Sequence, residues 1–176
     1  MIELRDFIRD VPDFPRRGIV FKDITPLLGN PEAFAECIRR LAAQVPKPDA
    51  VVAIESRGFI FGAGLALAWG VPFVPARKFG KLPGATVREV YSLEYGEDTL
   101  EIHRDALARG RRVVIVDDLL ATGGTARATA RLVESLGAVV TAILFVIELE
   151  GLGGRAQLAP YAVEALIREP VDEPAG

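Results

Sequence analysis

Apolar residues recur at Phe34, Ile38, Leu41 and Val45, the three-to-four spacing of one helical face. Ahead of them Asn30, Pro31 and Glu32 supply a capping residue, a first-turn proline and a first-turn acid, so the spacing predicts an amphipathic helix. Pro46 and Pro48 break it, and residues 50–54 then run apolar without interruption, as a strand buried on both faces does. Residues 58–69 return to a helical pattern, and 72–75, 113–116 and 139–147 read as further strands, with a helix from about 124 to 136 between the last two. Strands alternating with helices predict an α/β domain with a mainly parallel sheet, flanked by helices and wound by right-handed crossovers. The stretch 78–96 breaks this rhythm. It holds Gly80, Pro83, Gly84 and Gly96, and shows strand character only near 91–95, with more at 100–102. It reads as a long mobile loop, a lid in its functional form. The tail 169–176, with two prolines and a glycine, reads as frayed.

A chain of 176 residues, half of them hydrophobic, fits one domain with a proper core. No stretch approaches the roughly 20 apolar residues that span a bilayer, and the first residues lack the basic start and apolar run of a leader. The expectation is a cytoplasmic protein with no membrane partner. The single cysteine, Cys37, has no intramolecular partner and reads as a small core residue. A net charge of −3 offers no general attraction to nucleic acid. Positive charge is local instead, at Arg77, Lys78, Lys81 and Arg88, either a solvated loop or a set of anion contacts.

The stretch 113–126, Val-Val-Ile-Val-Asp-Asp-Leu-Leu-Ala-Thr-Gly-Gly-Thr-Ala, carries the most chemistry. A strand enters an acidic pair, then a small-residue loop, then a helix. Backbone N–H groups of such a loop can meet phosphate oxygens, and the helix N-terminus adds roughly half a positive charge there. Asp117 and Asp118 cannot also want phosphate, but they can accept hydrogen bonds from a vicinal diol, so a ribose 5-phosphate satisfies both. The plainer alternative is a capped helix after a tight turn. The loop lacks the lysine of a nucleoside-triphosphate loop, and Gly62-Ala-Gly64 lacks the third glycine of a dinucleotide fingerprint.

With those residues in view, 113–126 resembles the phosphoribosyl-diphosphate (PRPP) signature of the type I phosphoribosyltransferases. Four further blocks resemble the adenine-specific branch of that family: Phe14-Pro-x-x-Gly-Ile-Val-Phe-Lys-Asp-Ile-Thr-Pro26, Glu55-Ser-Arg-Gly-Phe59, Arg77-Lys-x-Gly-Lys-Leu-Pro-Gly84 and Tyr91-Ser-Leu-Glu-Tyr-Gly96. The resemblance implies a purine-salvage transferase that turns adenine and PRPP into AMP and diphosphate with Mg2+. It implies one phosphoribosyltransferase domain over 1–176, with a lid at about 78–96 and a base-binding hood from about 10–26 and 148–168. It also implies a homodimer. Ala121, Thr122, Gly123, Gly124 and Thr125 would cradle the 5-phosphate, while Asp117 and Asp118 grip the sugar hydroxyls. Ser56, Arg57 and Gly58 would hold the diphosphate in a loop that often carries a strained or cis peptide in this family, and Glu55 could be a simple strand-end acid. The peptides of Val20 and Lys22 would read the adenine edge, with Phe21 and Leu149 on either face of the ring; plain core packing would look the same for both. Glu94 would be the lid carboxylate, as general base or electrostatic stabiliser, with Tyr95 beside it. Arg77 and Lys81 would reach a phosphate, in their own or in a neighbouring subunit. Magnesium would be held mainly through substrate and water, with no dedicated protein metal site. The rivals are transfer to hypoxanthine, guanine or xanthine, and a PRPP-sensing regulator without catalysis.

Overall fold

The computed structural model describes residues 2–93 and 96–171. A 3-10 turn at Leu4–Phe7 leads into a two-stranded antiparallel hairpin, β1 (Arg9–Pro12) and β2 (Val20–Asp23). A short helix α1 (Thr25–Gly29) precedes α2 (Pro31–Ala43), whose N-cap Asn30 accepts a 2.9 Å hydrogen bond from the Ala33 N–H. The main sheet begins with β3 (Ala50–Ile54), α3 (Arg57–Trp69) and β4 (Phe73–Lys78). It continues through β5 (Thr86–Ser92), β6 (Glu97–His103), β7 (Arg112–Leu120), α4 (Gly124–Ser135), β8 (Val139–Glu150), α5 (Gly154–Gln157) and β9 (Val163–Pro170).

The seven strands lie in the order β5-β6-β4-β3-β7-β8-β9. Pairings from β4 across to β9 are parallel, whereas β6 runs antiparallel to both β4 and β5. Alternate side chains feed two cores, as a strand's two-residue period requires. Val52, Ile54, Val113 and Ile115 pack with α4, while Val51, Val114 and Val116 pack with α2 and α3 through Phe61, Leu65, Ile38 and Leu41.

Four sequence expectations change. The 78–96 stretch is loop only in part: residues 79–85 are irregular, but β5 occupies 86–92 and forms with β6 a hairpin that extends the sheet, its polar, half-exposed faces disguising it as loop. The strand at 113–116 continues through the acidic pair to Leu120, paired with β8 along the way. β4 likewise outruns 72–75, because Arg77 and Lys78 pair with β6. At the tail, Glu169 and Pro170 belong to β9, in register with Leu149 and Glu150; the rest, beyond 171, lies outside the described residues. Among the described residues no helix is long and apolar enough to cross a membrane.

Candidate active site

Two strand ends and two helix starts meet at the carboxyl edge of the parallel strands, where ligands collect in open α/β sheets. β3 passes into α3 through Glu55 and Ser56, whose peptide bond is cis. β7 passes into α4 through Ala121, Thr122 and Gly123, the last with φ +87°. That conformation favours glycine, and Gly123 has no side chain with which to cap α4, so first-turn N–H groups are left for a ligand.

Two adjoining cavities occupy this edge. One of about 270 Å³ is lined by Ser56, Arg57, Asp117, Asp118, Tyr91 and Thr125, among others. The other, about 100 Å³, is lined by Ala121 to Thr125 and again by Asp117. Asp117 and Thr125 belong to both, so the two form one trough with a small-residue pocket at one end.

The acidic pair sits at the junction. Asp117 Oδ1 accepts a 2.9 Å hydrogen bond from the Asp118 N–H. Burial, and next the neighbouring Asp118 charge, hold the Asp117 carboxyl well above the usual carboxylate range. The Arg57 Nε lies 2.9 Å from Asp118 Oδ2, but without hydrogen-bond alignment, so that buried oxygen has charge compensation and no donor. Arg57 also places its guanidinium carbon 5.0 Å from the centre of the Phe21 ring, in cation–π range. It thereby joins the hairpin to the acidic pair.

Gly58 owes its place to packing: a Cβ there would stand 2.9 Å from Asp117 Oδ1 and from the Val116 carbonyl. Phe21 packs edge-on against Phe14 with ring centres 5.1 Å apart. Val20 and Lys22 flank it on β2, and Lys22 turns its side chain into a buried position with Nζ 2.9 Å from Asp10 and 2.5 Å from Glu169. Burial works against the Lys22 charge, yet the two carboxylates outweigh it and raise the pKa. The hairpin is thus pinned to β9. Leu149, half-buried near the end of β8, packs with the α2 and α3 core.

Arg77 and Lys81 meet at Glu55 rather than on the cavity wall. Their nitrogens lie 3.2 and 3.6 Å from Glu55 Oε2, and the Lys78 N–H donates to the other oxygen. Glu55 is more than a strand-end acid. Burial opposes its charge, but these contacts hold its pKa below the ordinary value. Lys78 lines the larger cavity with Nζ 3.1 Å from Asp98, and Arg88 lies 3.6 Å from buried Glu101 and over the Phe79 ring. Every member of the basic run therefore faces a carboxylate. Glu94 and Tyr95 lie outside the described residues.

Two contributors escape the sequence reading. Tyr91 lines the larger cavity, its hydroxyl 3.5 Å from Asp98, with its pKa raised chiefly by burial. Gly154 lies under the phosphate-type loop, and a Cβ on it would fall 2.3 Å from the Ala121 carbonyl. Tyr91 opens a quoted block and could have been found there. Gly154 had only the local pattern Gly151-Leu-Gly-Gly as a signal.

The family model for a phosphoribosyl transferase domain matches residues 27–162. Adenine phosphoribosyltransferase of Carboxydothermus hydrogenoformans is 57% identical over 169 residues, which are 95% of this chain and 99% of that one. The crystal structure of adenine phosphoribosyltransferase from Thermoanaerobacter pseudethanolicus superposes with a TM-score of 0.91 at 54% identity, covering 94% of this chain and 98% of that one. The Saccharomyces cerevisiae enzyme, solved with adenine and an imino-altritol bisphosphate, gives 0.85 at 42% identity, covering 93% and 96%.

Proposed function

We infer the chemistry of this chain from the family to which it belongs, the phosphoribosyltransferases and, within them, the adenine phosphoribosyltransferases. The chain joins adenine to the ribose of PRPP, giving AMP and diphosphate in purine salvage. The observation that carries the reading is the single trough in which an uncapped helix start and an acidic pair adjoin.

In this reading the 5-phosphate lies in the pocket of Ala121, Thr122, Gly123, Gly124 and Thr125, and the ribose hydroxyls meet Asp117 and Asp118. Each charge-assisted hydrogen bond of that kind contributes about 1.5–3 kcal/mol. Ser56, Arg57 and the start of α3 face the diphosphate. As the bond from C1 to diphosphate breaks, its electron pair leaves with the diphosphate, and a purine ring nitrogen bonds to C1. The anomeric centre gains positive charge in passing, and the fixed carboxylates below it need no reorganisation to face that charge. The proton lost by the purine goes to the lid carboxylate we assign as Glu94, with Tyr95 beside it. Val20 and Lys22 offer peptide groups to the adenine edge, with Phe21 and Leu149 on either side of the ring. Arg57 now lies against both Phe21 and Asp118, and must leave them for base and ribose to enter.

A magnesium ion fits the donor set, since Asp118 Oδ2 is a hard oxygen buried without a hydrogen-bond donor and Asp117 adjoins it. Among the described residues no cluster of three or more His, Cys, Asp or Glu is arranged to hold a metal. Bound there, mainly through substrate and water, magnesium would neutralise charge on the departing diphosphate. A homodimer belongs to the same proposal, supported by Leu67, 84% exposed, beside Ile60 and Phe73 on the α3 side. Arg77 and Lys81 would then serve a phosphate in the neighbouring subunit's site. Cytoplasmic residence is part of it too, supported by cysteine usage that suits a reducing compartment, one buried free thiol at Cys37.

Diphosphate release from PRPP and magnesium, with adenine or hypoxanthine as acceptor, tests the reading. Adenine should support turnover and hypoxanthine should not. The reverse preference would overturn the assignment of β2.

A further inference from the structure

The floor under the phosphate-type loop is built from a segment some thirty residues away. α5 starts at Gly153, φ +75°, and its first residue, Gly154, lies so close to the loop that side chains are excluded on both sides. A Cβ on Gly154 would stand 2.3 Å from the Ala121 carbonyl, and one on Gly123 would stand 2.8 Å from the Gly154 carbonyl. The nearest atom in each case is a backbone carbonyl, which cannot swing aside as a side chain can, and the Leu120 side chain closes in on Gly154 beside it. Arg127, on the second turn of α4, adds a 2.5 Å hydrogen bond to the Gln157 carbonyl.

The α5 turn is in turn fixed by Arg155. Its Nε donates to Glu148 Oε1 at 3.0 Å, its Nη2 to Oε2 at 2.5 Å, and its Nη1 to the Val163 carbonyl at 2.5 Å. Three bonds from one planar fork set orientation as well as distance, which a single ammonium cannot do. Glu148 is buried near the end of β8, with Arg168 of β9 3.4 Å from it. Arg155 lines neither cavity.

We propose that Arg155, held by Glu148, is a positioning residue for the 5-phosphate loop, acting through Gly154 on Ala121 and Gly123. The proposal rests on the reading of that loop as the 5-phosphate site. It places the geometry of β8 and β9 in control of affinity for the sugar-phosphate end, while the diphosphate end, built on β3 and α3, stands apart.

Calorimetric titration of the full chain with ribose 5-phosphate, and separately with inorganic diphosphate, tests it in four variants. Thr125→Val probes the loop itself. Arg155→Met removes the fork, Arg155→Lys keeps only its charge, and Glu148→Gln loosens the clasp while keeping an acceptor, so it serves if Arg155→Met does not fold. Thr125→Val should weaken ribose 5-phosphate. Arg155→Met should weaken it about tenfold, a fraction of what a misplacement on the order of 1 Å can cost, with diphosphate affinity unchanged. Arg155→Lys and Glu148→Gln should fall between Arg155→Met and the wild type. If Thr125→Val weakens ribose 5-phosphate but the Arg155 and Glu148 variants do not, the positioning role is wrong and the loop assignment stands. Equal weakening of both ligands would reduce Arg155 to general scaffolding. An unchanged affinity in Thr125→Val would remove the loop assignment and the inference with it.

Discussion

The floor and the walls of the trough are built by different physics. The floor is β7 and the start of α4: Val113 to Val116 are fully buried, and glycines press backbone on backbone beneath the loop. The walls are less packed: the β5–β6 hairpin lines the trough through Tyr91, Leu93 and Asp98, the β1–β2 hairpin reaches it through Phe21 against Arg57, and the two leave Phe14, Val90 and Leu93 exposed and lean on ion pairs. Lys22 pins one hairpin to Glu169. On the other, Glu101 gathers the Gly80 and Leu82 N–H groups and the Thr86 hydroxyl, and Arg131 of α4 pairs with Glu89. Close packing admits no intermediate positions, whereas a half-exposed ion pair such as Arg131–Glu89, at about 0–1 kcal/mol, breaks and re-forms readily; the buried Lys22–Glu169 pair holds more firmly. The proposed function needs that division: a sugar phosphate held still beside walls that can yield to a planar base and a leaving diphosphate.

The largest effect should come from the floor's carboxylates. Asp117→Asn with Asp118→Asn should lower turnover by roughly a thousandfold or more in a diphosphate-release assay, because charge aimed at the transition state is lost. Asp117→Asn alone separates function from stability. Its folded pKa is raised, so its contribution to stability is fully present below the unfolded value and lost as pH rises through the folded value. Asparagine stays neutral. The variant should therefore melt about 2–4 °C above the wild type at pH 8, on the order of 1 kcal/mol, with the gap closing toward pH 4. A variant less stable at pH 8 would show that the wild-type charge is well compensated.

Next comes Glu94→Gln, which should reduce kcat about a hundredfold with a smaller change in PRPP affinity, as loss of a proton acceptor does. An equal loss in both would make Glu94 a positioning group and blur the contrast. Gly154→Ala tests the floor without touching ligand: it should destabilise by about 1–3 kcal/mol in urea unfolding and raise KM for PRPP more than KM for adenine. Smallest is Lys22→Met, expected to raise KM for adenine roughly tenfold at nearly constant PRPP affinity, with Lys22→Arg recovering most of it. A change confined to PRPP would place the hairpin in the wrong half of the trough.

The floor was also the more legible half. The apolar run 113–116, the acidic pair and the glycines follow one another in the chain, so spacing alone juxtaposes the proposed diol and phosphate sites. The walls were harder. β5 alternates half-buried and exposed positions between glycine-rich turns, so it read as loop, and Leu119 and Leu120 were missed as strand because carboxylates seldom precede a strand's end. Glu55 could not be seen as the meeting point of Arg77, Lys78 and Lys81, because that contact spans more than twenty residues and depends on β3 pairing with β4. Gly154 had little signal for the same reason, and Arg155, though only seven residues from Glu148, meets it across a turn that no local pattern marks. Their partners, Ala121 and Glu148, are set by the sheet and not by any local period.

The most direct measurement is a crystal structure of the protein with AMP. The phosphate should sit within hydrogen-bond distance of the backbone N–H groups of residues 122–125, with both ribose hydroxyls on Asp117 and Asp118. A nucleotide bound elsewhere, or one with its phosphate against Arg57 and Ser56 and its ribose away from the acidic pair, would contradict the account.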